Sequence, residues 1–177
     1  KIKILLLPCS STCSIHNFTN FGTVPFSLWH RLARLDPNTW SEKDLFLNLK
    51  PVDGAIETLS RLHEEGYDIH ILTCPQVNYY CFYEKALWVK RYLPFINIET
   101  NFHTTGNKGL FAKENRVLTD DNPVYLQQWL DNGGIPIVFN QGWNQDFEGD
   151  RAFNWDDVYE IIKQPRSFHE LSKTIKP

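Results

Sequence analysis

The stretch that decides the fold is Lys1–Cys13, which reads KIKILLLPCSSTC. Its apolar run, Ile4–Leu7, is short and continuous, and Pro8 ends it. A run of this kind predicts a strand that is buried on both faces, as in the middle of a parallel sheet. Ligands of open α/β sheets bind beyond the carboxyl ends of the strands. We therefore expect the loop Pro8–Cys13 to lie at the mouth of any functional site.

The composition is that of an ordinary globular protein. At 177 residues the chain is long enough for one sizeable core. A net charge of −3 gives no reason to expect nucleic acid or an anionic membrane as a partner. The four cysteines do not resemble a disulfide framework, and no apolar run is long enough to span a membrane. We therefore expect a cytoplasmic protein without a membrane partner, and the sequence leaves a homodimer open.

Strand and helix patterns alternate along most of the chain. The alternation predicts an α/β fold, a three-layer Rossmannoid parallel sheet with helices on both faces. Apolar runs predict strands at Tyr67–Thr73, Ile96–Phe102, Arg116–Thr119 and Ile135–Phe139. Helical spacing predicts helices near Ala55–Leu62, Tyr83–Leu93, Tyr125–Leu130, Asp156–Ile162 and Phe168–Ile175.

One segment breaks this alternation. Residues 14–49 have little strand character and are rich in aromatic side chains. We interpret this segment as a small helical cap inserted into the core domain. The core domain would then comprise residues 1–13 and 50–177.

Polar signals follow several predicted strands. Thr73 and Cys74 end one strand, where a hydroxyl and free backbone N–H groups could hold an anion. Asp120 and Asp121 end another, and adjacent carboxylates are good ligands for a hard cation. Lys108, in an Asn-Lys-Gly loop, could neutralise a phosphate. Each signal also has an ordinary explanation, namely a routine turn, an exposed helix cap and a solvated lysine.

Taken together, the motifs resemble the haloacid-dehalogenase-like phosphohydrolases, and within them the 5′(3′)-deoxyribonucleotidase family. The resemblance covers most of the chain, and the Cys-x-Tyr-Glu-Lys block is specific to this family. The matching stretches include Leu49-Lys-Pro-Val-Asp-Gly54, Ile69-His-Ile-Leu-Thr73-Cys-Pro75, Cys81-Phe-Tyr-Glu-Lys85 and Val117-Leu-Thr-Asp-Asp121-Asn-Pro123.

The resemblance implies roles for individual residues and a class of ligand, a nucleoside monophosphate or another phosphorylated small molecule. Thr73, Cys74 and Lys108 would bind phosphate, with Lys85 supporting them. Asp121, with Asp120 beside it, would bind Mg²⁺. Aromatic side chains of the cap would stack on the base: Phe18, Phe21 and Trp29.

The sequence departs from the family at the first strand. The family carries two aspartates there, in a D-x-D-G motif, where one attacks phosphorus and the other protonates the leaving oxygen. Aligning the strands places the first of these aspartates at Leu7 or Pro8 and the second at Cys9 or Ser10, and we take Pro8 and Ser10 as the expected positions. No Asp or Glu precedes Asp36. The attacking carboxylate also supplies an oxygen to the metal. We therefore expect catalysis to be impaired or lost and Mg²⁺ binding to be weak or absent.

Three functions remain open at this point. The first is an impaired relative that binds a nucleotide, a phosphorylated ligand or a protein partner through the old site. The second is an active Mg²⁺-dependent 5′-nucleotidase that dephosphorylates nucleoside monophosphates. The third is a protein-interaction module without a small ligand.

Overall fold

The core of the protein is a parallel β-sheet. A computed structural model describes residues 3–6, 43–75 and 80–164, and of residues 3–6 it describes only the backbone. The strands are β1 (Lys3–Leu6), β2 (Asp68–Thr73), β3 (Phe102–Thr104), β4 (Arg116–Asp120), β5 (Ile135–Phe139) and β6 (Asp150–Ala152). They form one six-stranded sheet in the order β3-β2-β1-β4-β5-β6, and every pairing is parallel.

Helices follow most of these strands. They are α1 (Ala55–Glu64), α2 (Cys81–Tyr92), α3 (Ile98–Asn101), α4 (Pro123–Asp131) and α5 (Trp155–Lys163), and a short 3₁₀ helix spans Lys108–Phe111. Asparagine side chains begin α4 and α5. Asn122 accepts a hydrogen bond from the Val124 N–H and Asn154 accepts one from the Asp157 N–H, each at 2.9 Å. Within the described part of the chain, no helix is long and apolar enough to cross a membrane.

The helices cover both faces of the sheet, which gives the predicted three layers. On one face, helices α1, α2 and α5 share the larger apolar cluster with strand residues such as Ile71 and Ile137. On the other face, Trp129 of α4 packs with Leu72 and Leu118, and Phe111 of the 3₁₀ helix joins them. A strand buried on both faces explains the continuous apolar run of β5. The predicted fold class is confirmed.

Strand β1 occupies the centre of the sheet, as the first apolar run predicts. Leu6, its last residue, pairs with Ile71 of β2 and with Thr119 of β4. The carboxyl ends of β2 and β4 therefore flank the end of β1. The loop Pro8–Cys13 and most of the predicted cap, residues 14–42, lie outside the described residues, as does the predicted helix Phe168–Ile175.

One strand prediction was wrong in its position. Of the predicted strand Ile96–Phe102, only Phe102 belongs to a strand, because Ile98–Asn101 forms the short helix α3. The side chain of Asn97 accepts a hydrogen bond from the Glu99 N–H at 2.9 Å and so begins a helical turn in an apolar stretch. Strand β6 was not predicted, since three residues carry too little pattern.

The contact between Gly134 and Trp129 allows a test of the packing. A Cβ added at Gly134 would overlap the ring of Trp129, which is fully buried. We expect Gly134→Ala to lower the free energy of unfolding by about 1–3 kcal/mol, because overpacking a rigid core forces its neighbours to move. Gly142→Ala is the matched control, since a Cβ there meets nothing within 4 Å. Urea denaturation measures the free energy of unfolding of both variants, and equal values would contradict this packing.

Candidate functional site

The predicted site residues lie at the carboxyl edge of the sheet, on either side of β1. Leu6 pairs with Ile71 and with Thr119. Thr73 and Asp121 each lie two residues beyond those partners, so they stand at the same level on the two strands that flank β1. This edge is where α/β sheets of this kind bind ligands.

On the β2 side, a buried lysine holds the end of the strand. The ammonium of Lys85 donates hydrogen bonds to the Thr73 hydroxyl at 3.0 Å and to the Cys74 carbonyl at 2.7 Å. It also lies 4.7 Å from the centre of the Phe46 ring. Since a lysine can only donate, the Thr73 oxygen is the acceptor, and the hydroxyl hydrogen remains able to donate to an anion. Burial lowers the pKa of Lys85, and nearby Lys108 adds to the effect.

On the β4 side, a second lysine forms a fully buried ion pair. The Lys108 ammonium lies 2.9 Å from Oδ2 of Asp120, and both side chains have 0% exposure. The other Asp120 oxygen accepts a hydrogen bond from the Asn122 N–H at 2.9 Å. The ring of Tyr125 lies below the ammonium, with 4.3 Å between the nitrogen and the ring centre. Burial lowers the pKa of Lys108, while Asp120 acts in the opposite direction.

Cys74 lies at the end of β2, beside Lys85. Its carbonyl accepts the hydrogen bond from Lys85 at 2.7 Å, and its thiol donates to the Pro75 carbonyl at 3.6 Å. Burial raises the pKa of Tyr125, and the neighbouring Cys74 adds to the effect. The half-buried thiol stands where the resemblance leads us to expect a serine hydroxyl. A thiol donates a weaker hydrogen bond than a hydroxyl, so Cys74 would bind an anion less strongly than serine would.

The two aspartates have different surroundings. Each oxygen of Asp120 already has a partner, Lys108 or the Asn122 N–H. Asp121 is 8% exposed, and its backbone carbonyl accepts hydrogen bonds from Asn144 at 2.9 Å and Trp143 at 3.2 Å. Asp120 would therefore have to give up one of its partners to bind a cation.

The donor set supports a partial fit to Mg²⁺. Carboxylate oxygens at a strand end suit a hard cation. Within the described residues, however, no group of three or more His, Cys, Asp and Glu side chains is placed to hold a metal ion. Asp121 and Asp120 would thus need further oxygen ligands from outside this part of the chain.

The structure therefore brings together six of the predicted site residues: Thr73, Cys74, Lys85, Lys108, Asp120 and Asp121. Pro8, Ser10, Phe18, Phe21 and Trp29 lie outside the described residues. Sequence reasoning missed the contacts of Phe46 and Tyr125 with the lysines. An aromatic residue in the first turn of a helix after Asp120-Asp121 was the available signal for Tyr125.

The decisive comparison is with a protein family. The model of the family described as 5′ nucleotidase, deoxy (pyrimidine), cytosolic type C protein matches residues 29–168. The chain belongs to this 5′-nucleotidase family. The matched range begins after the loop Pro8–Cys13, so it does not include the place where the family's first motif would stand.

Relatives similar in sequence agree with this membership, and a solved structure is similar in fold. Two provisionally named 5′(3′)-deoxyribonucleotidases, from Chlorobaculum tepidum and Staphylococcus epidermidis, are 26% and 30% identical over 70% and 66% of this chain. The chain spans 60% and 62% of their lengths. A haloacid dehalogenase-like family hydrolase from Xanthomonas campestris is similar in fold, with a TM-score of 0.56 and 9% identity over 98% of this chain and 95% of that one. The predicted 5′-nucleotidase family is therefore confirmed by the family model, and the solved structure agrees with the three-layer α/β fold.

The buried lysine of α2 leads to a pH dependence that can be measured. In the folded chain the pKa of Lys85 lies below its usual 10.5. Between these two values the unfolded chain binds more protons, so the contribution of Lys85 to stability rises with pH in that window. We expect the wild type to gain stability relative to Lys85→Met as the pH rises from neutral towards 10.5.

Urea denaturation at a series of pH values measures this difference. Lys90→Met is the matched control, because Lys90 is exposed on the same helix. Its difference from the wild type should stay nearly constant with pH. A stability difference between wild type and Lys85→Met that falls, or does not change, would contradict the account of Lys85.

Proposed function

We propose that this member of the 5′-nucleotidase family binds the phosphate of a nucleoside monophosphate at the carboxyl edge of the sheet, with phosphomonoester hydrolysis impaired. The observation that carries the proposal is the hydrogen bond from the Lys85 ammonium to the Thr73 hydroxyl oxygen. It keeps a cation and a hydroxyl donor at the end of β2. Lys108, on the other side of β1, adds a second cation. Charge-assisted hydrogen bonds of this kind favour a phosphate over a neutral ligand.

The impairment follows from the first strand. Phosphate ester hydrolysis in this family needs a carboxylate that attacks phosphorus and a second that protonates the leaving oxygen. Pro8 and Ser10 can do neither, because proline has no nucleophilic side chain and an unassisted serine hydroxyl is a weak nucleophile. A bound Mg²⁺ would neutralise charge on the phosphate. Asp121, with Asp120 beside it, would hold that ion, and the missing carboxylate would weaken its binding.

The segment 14–49 supplies the base-binding part of this proposal. The chain rejoins the described structure at α2, where the buried carboxylate of Glu84 accepts hydrogen bonds from the Asp44 N–H at 2.6 Å and the Phe46 N–H at 3.0 Å. The segment thus leaves the sheet after β1 and returns beside Lys85, both at the carboxyl edge. This supports a cap above the phosphate site. Its aromatic residues Phe18, Phe21 and Trp29 would stack on the base.

A working nucleotidase is the second candidate. It is favoured by the arrangement of Thr73, Lys85, Lys108 and Asp120, which is intact on both sides of β1. The two candidates share a phosphate site and differ only in turnover.

The test combines binding and turnover on the purified protein. We expect no release of phosphate above background from dUMP, dTMP or p-nitrophenyl phosphate with Mg²⁺ present. We also expect dUMP to bind roughly tenfold or more tightly than deoxyuridine, because hydrogen bonds to a charged group contribute about 1.5–3 kcal/mol each. Calorimetry measures the binding.

Two variants make the test specific. Thr73→Val should weaken dUMP binding roughly tenfold, through loss of one donor to a charged group. Thr100→Val is the matched control, because exposed Thr100 lies on α3, which precedes β3 and so stands at the opposite edge. Turnover that disappears in Asp121→Asn would establish the active nucleotidase instead. Equal affinity for dUMP and deoxyuridine would exclude the phosphate site and favour the interaction module.

A further inference from the structure

The loop between β5 and β6 holds the backbone of Asp121 through one buried side chain. Asn144 is 1% exposed, and both hydrogen-bonding ends of its amide are used. Its nitrogen donates to the Asp121 carbonyl and to the Phe139 carbonyl, each at 2.9 Å. Its oxygen accepts from the Gln141 N–H at 3.0 Å. Asn144 thus joins the exit of β4 to the end of β5.

Arg151 of β6 holds this asparagine in place. One guanidinium nitrogen donates to Oδ1 of Asn144 at 2.9 Å and to Oδ1 of Asn140 at 3.1 Å. The other donates to the carbonyls of Asn144 at 3.0 Å and Phe147 at 2.8 Å. Because the planar guanidinium fixes several acceptors at once, it orders the whole loop.

A second donor reaches the same carbonyl. The indole N–H of Trp143 donates to the Asp121 carbonyl at 3.2 Å. Two donors on one carbonyl fix the peptide plane from which the Asp121 side chain departs.

We propose that Asn144, supported by Arg151 and joined by Trp143, is a positioning residue that sets the Asp121 carboxylate for a divalent cation. This inference rests on the proposed function, since it assigns the cation to Asp121. Mg²⁺ demands near-octahedral geometry, so small shifts of a carboxylate weaken its binding. Residues behind metal ligands typically change metal affinity by about 10–100-fold when they are replaced.

Cation titration of the whole chain tests the proposal. Mn²⁺ serves as the probe, because the paramagnetic resonance of the free ion also measures weak binding. Asn144→Asp keeps the shape and the acceptors but loses the two donated hydrogen bonds, and it should weaken Mn²⁺ binding by about 10–100-fold. Trp143→Phe removes the other donor and should produce a smaller loss in the same direction. Gln145→Ala is the matched control, since the Gln145 amide in the same loop donates to Asn140 and Gln141.

A second readout separates this inference from the proposed function. Amide hydrogen exchange of the peptide 120–124 should be faster in Asn144→Asp and Trp143→Phe than in the wild type, and unchanged in Gln145→Ala. If the native chain binds no Mn²⁺, the metal role of Asp121 fails, and exchange alone decides on the positioning. Native Mn²⁺ affinity in Trp143→Phe and Asn144→Asp would overturn the inference, as would unchanged exchange. Arg151→Lys replaces Asn144→Asp if that variant does not fold, with the same expected losses.

Discussion

The structure depends on the parallel pairing of β1 between β2 and β4. Leu6 is in register with Ile71 on one side and Thr119 on the other. Because side chains beyond the ends of parallel strands meet at one edge, this register alone brings Thr73 and Asp121 to the same level. Two lysines, from α2 and from the 3₁₀ helix, then complete the edge. A one-residue change in either pairing would separate the hydroxyl from the carboxylates.

Buried charge is the second feature that links structure to function. The Lys108–Asp120 pair has 0% exposure on both sides. The free energy lost when two charges are removed from water offsets much of the free energy gained by their attraction. A buried ion pair is therefore weak support for a stabilising role. The proposed phosphate site offers another reason for the pair, because fixed charges in a dry setting act strongly on a bound phosphate. Lys85 fits the same view, since burial lowers its pKa while it holds Thr73.

The sequence predicted the fold well where long patterns exist. The continuous run Ile135–Phe139 and the run that ends at Thr73 correspond to β5 and β2. Prediction failed at Ile96–Phe102, because the hydrogen bond between the Asn97 side chain and the Glu99 N–H begins a helical turn despite the apolar pattern. It also missed β6, whose three residues pair with β5.

The site was predictable in part. Strand ends marked Thr73 and the aspartates, whereas only the resemblance pointed to Lys85. The contacts of Asn144 could not be foreseen, because they join residues that only the folded sheet brings together. Asn144, for example, lies 23 positions from Asp121. The hydrophobic periodicity of the sequence does not predict a contact between residues so far apart in the chain.

We propose that the Mg²⁺ site beside Asp121 lacks the carboxylates that the family carries after its first strand. Calorimetric titration with Mg²⁺ of the native chain and of the Pro8→Asp/Ser10→Asp double variant measures this. We expect weak binding by the native chain, clearly tighter binding by the double variant, and loss of that gain when Asp121→Asn is added. Tight Mg²⁺ binding by the native chain, or no gain in the double variant, would contradict it.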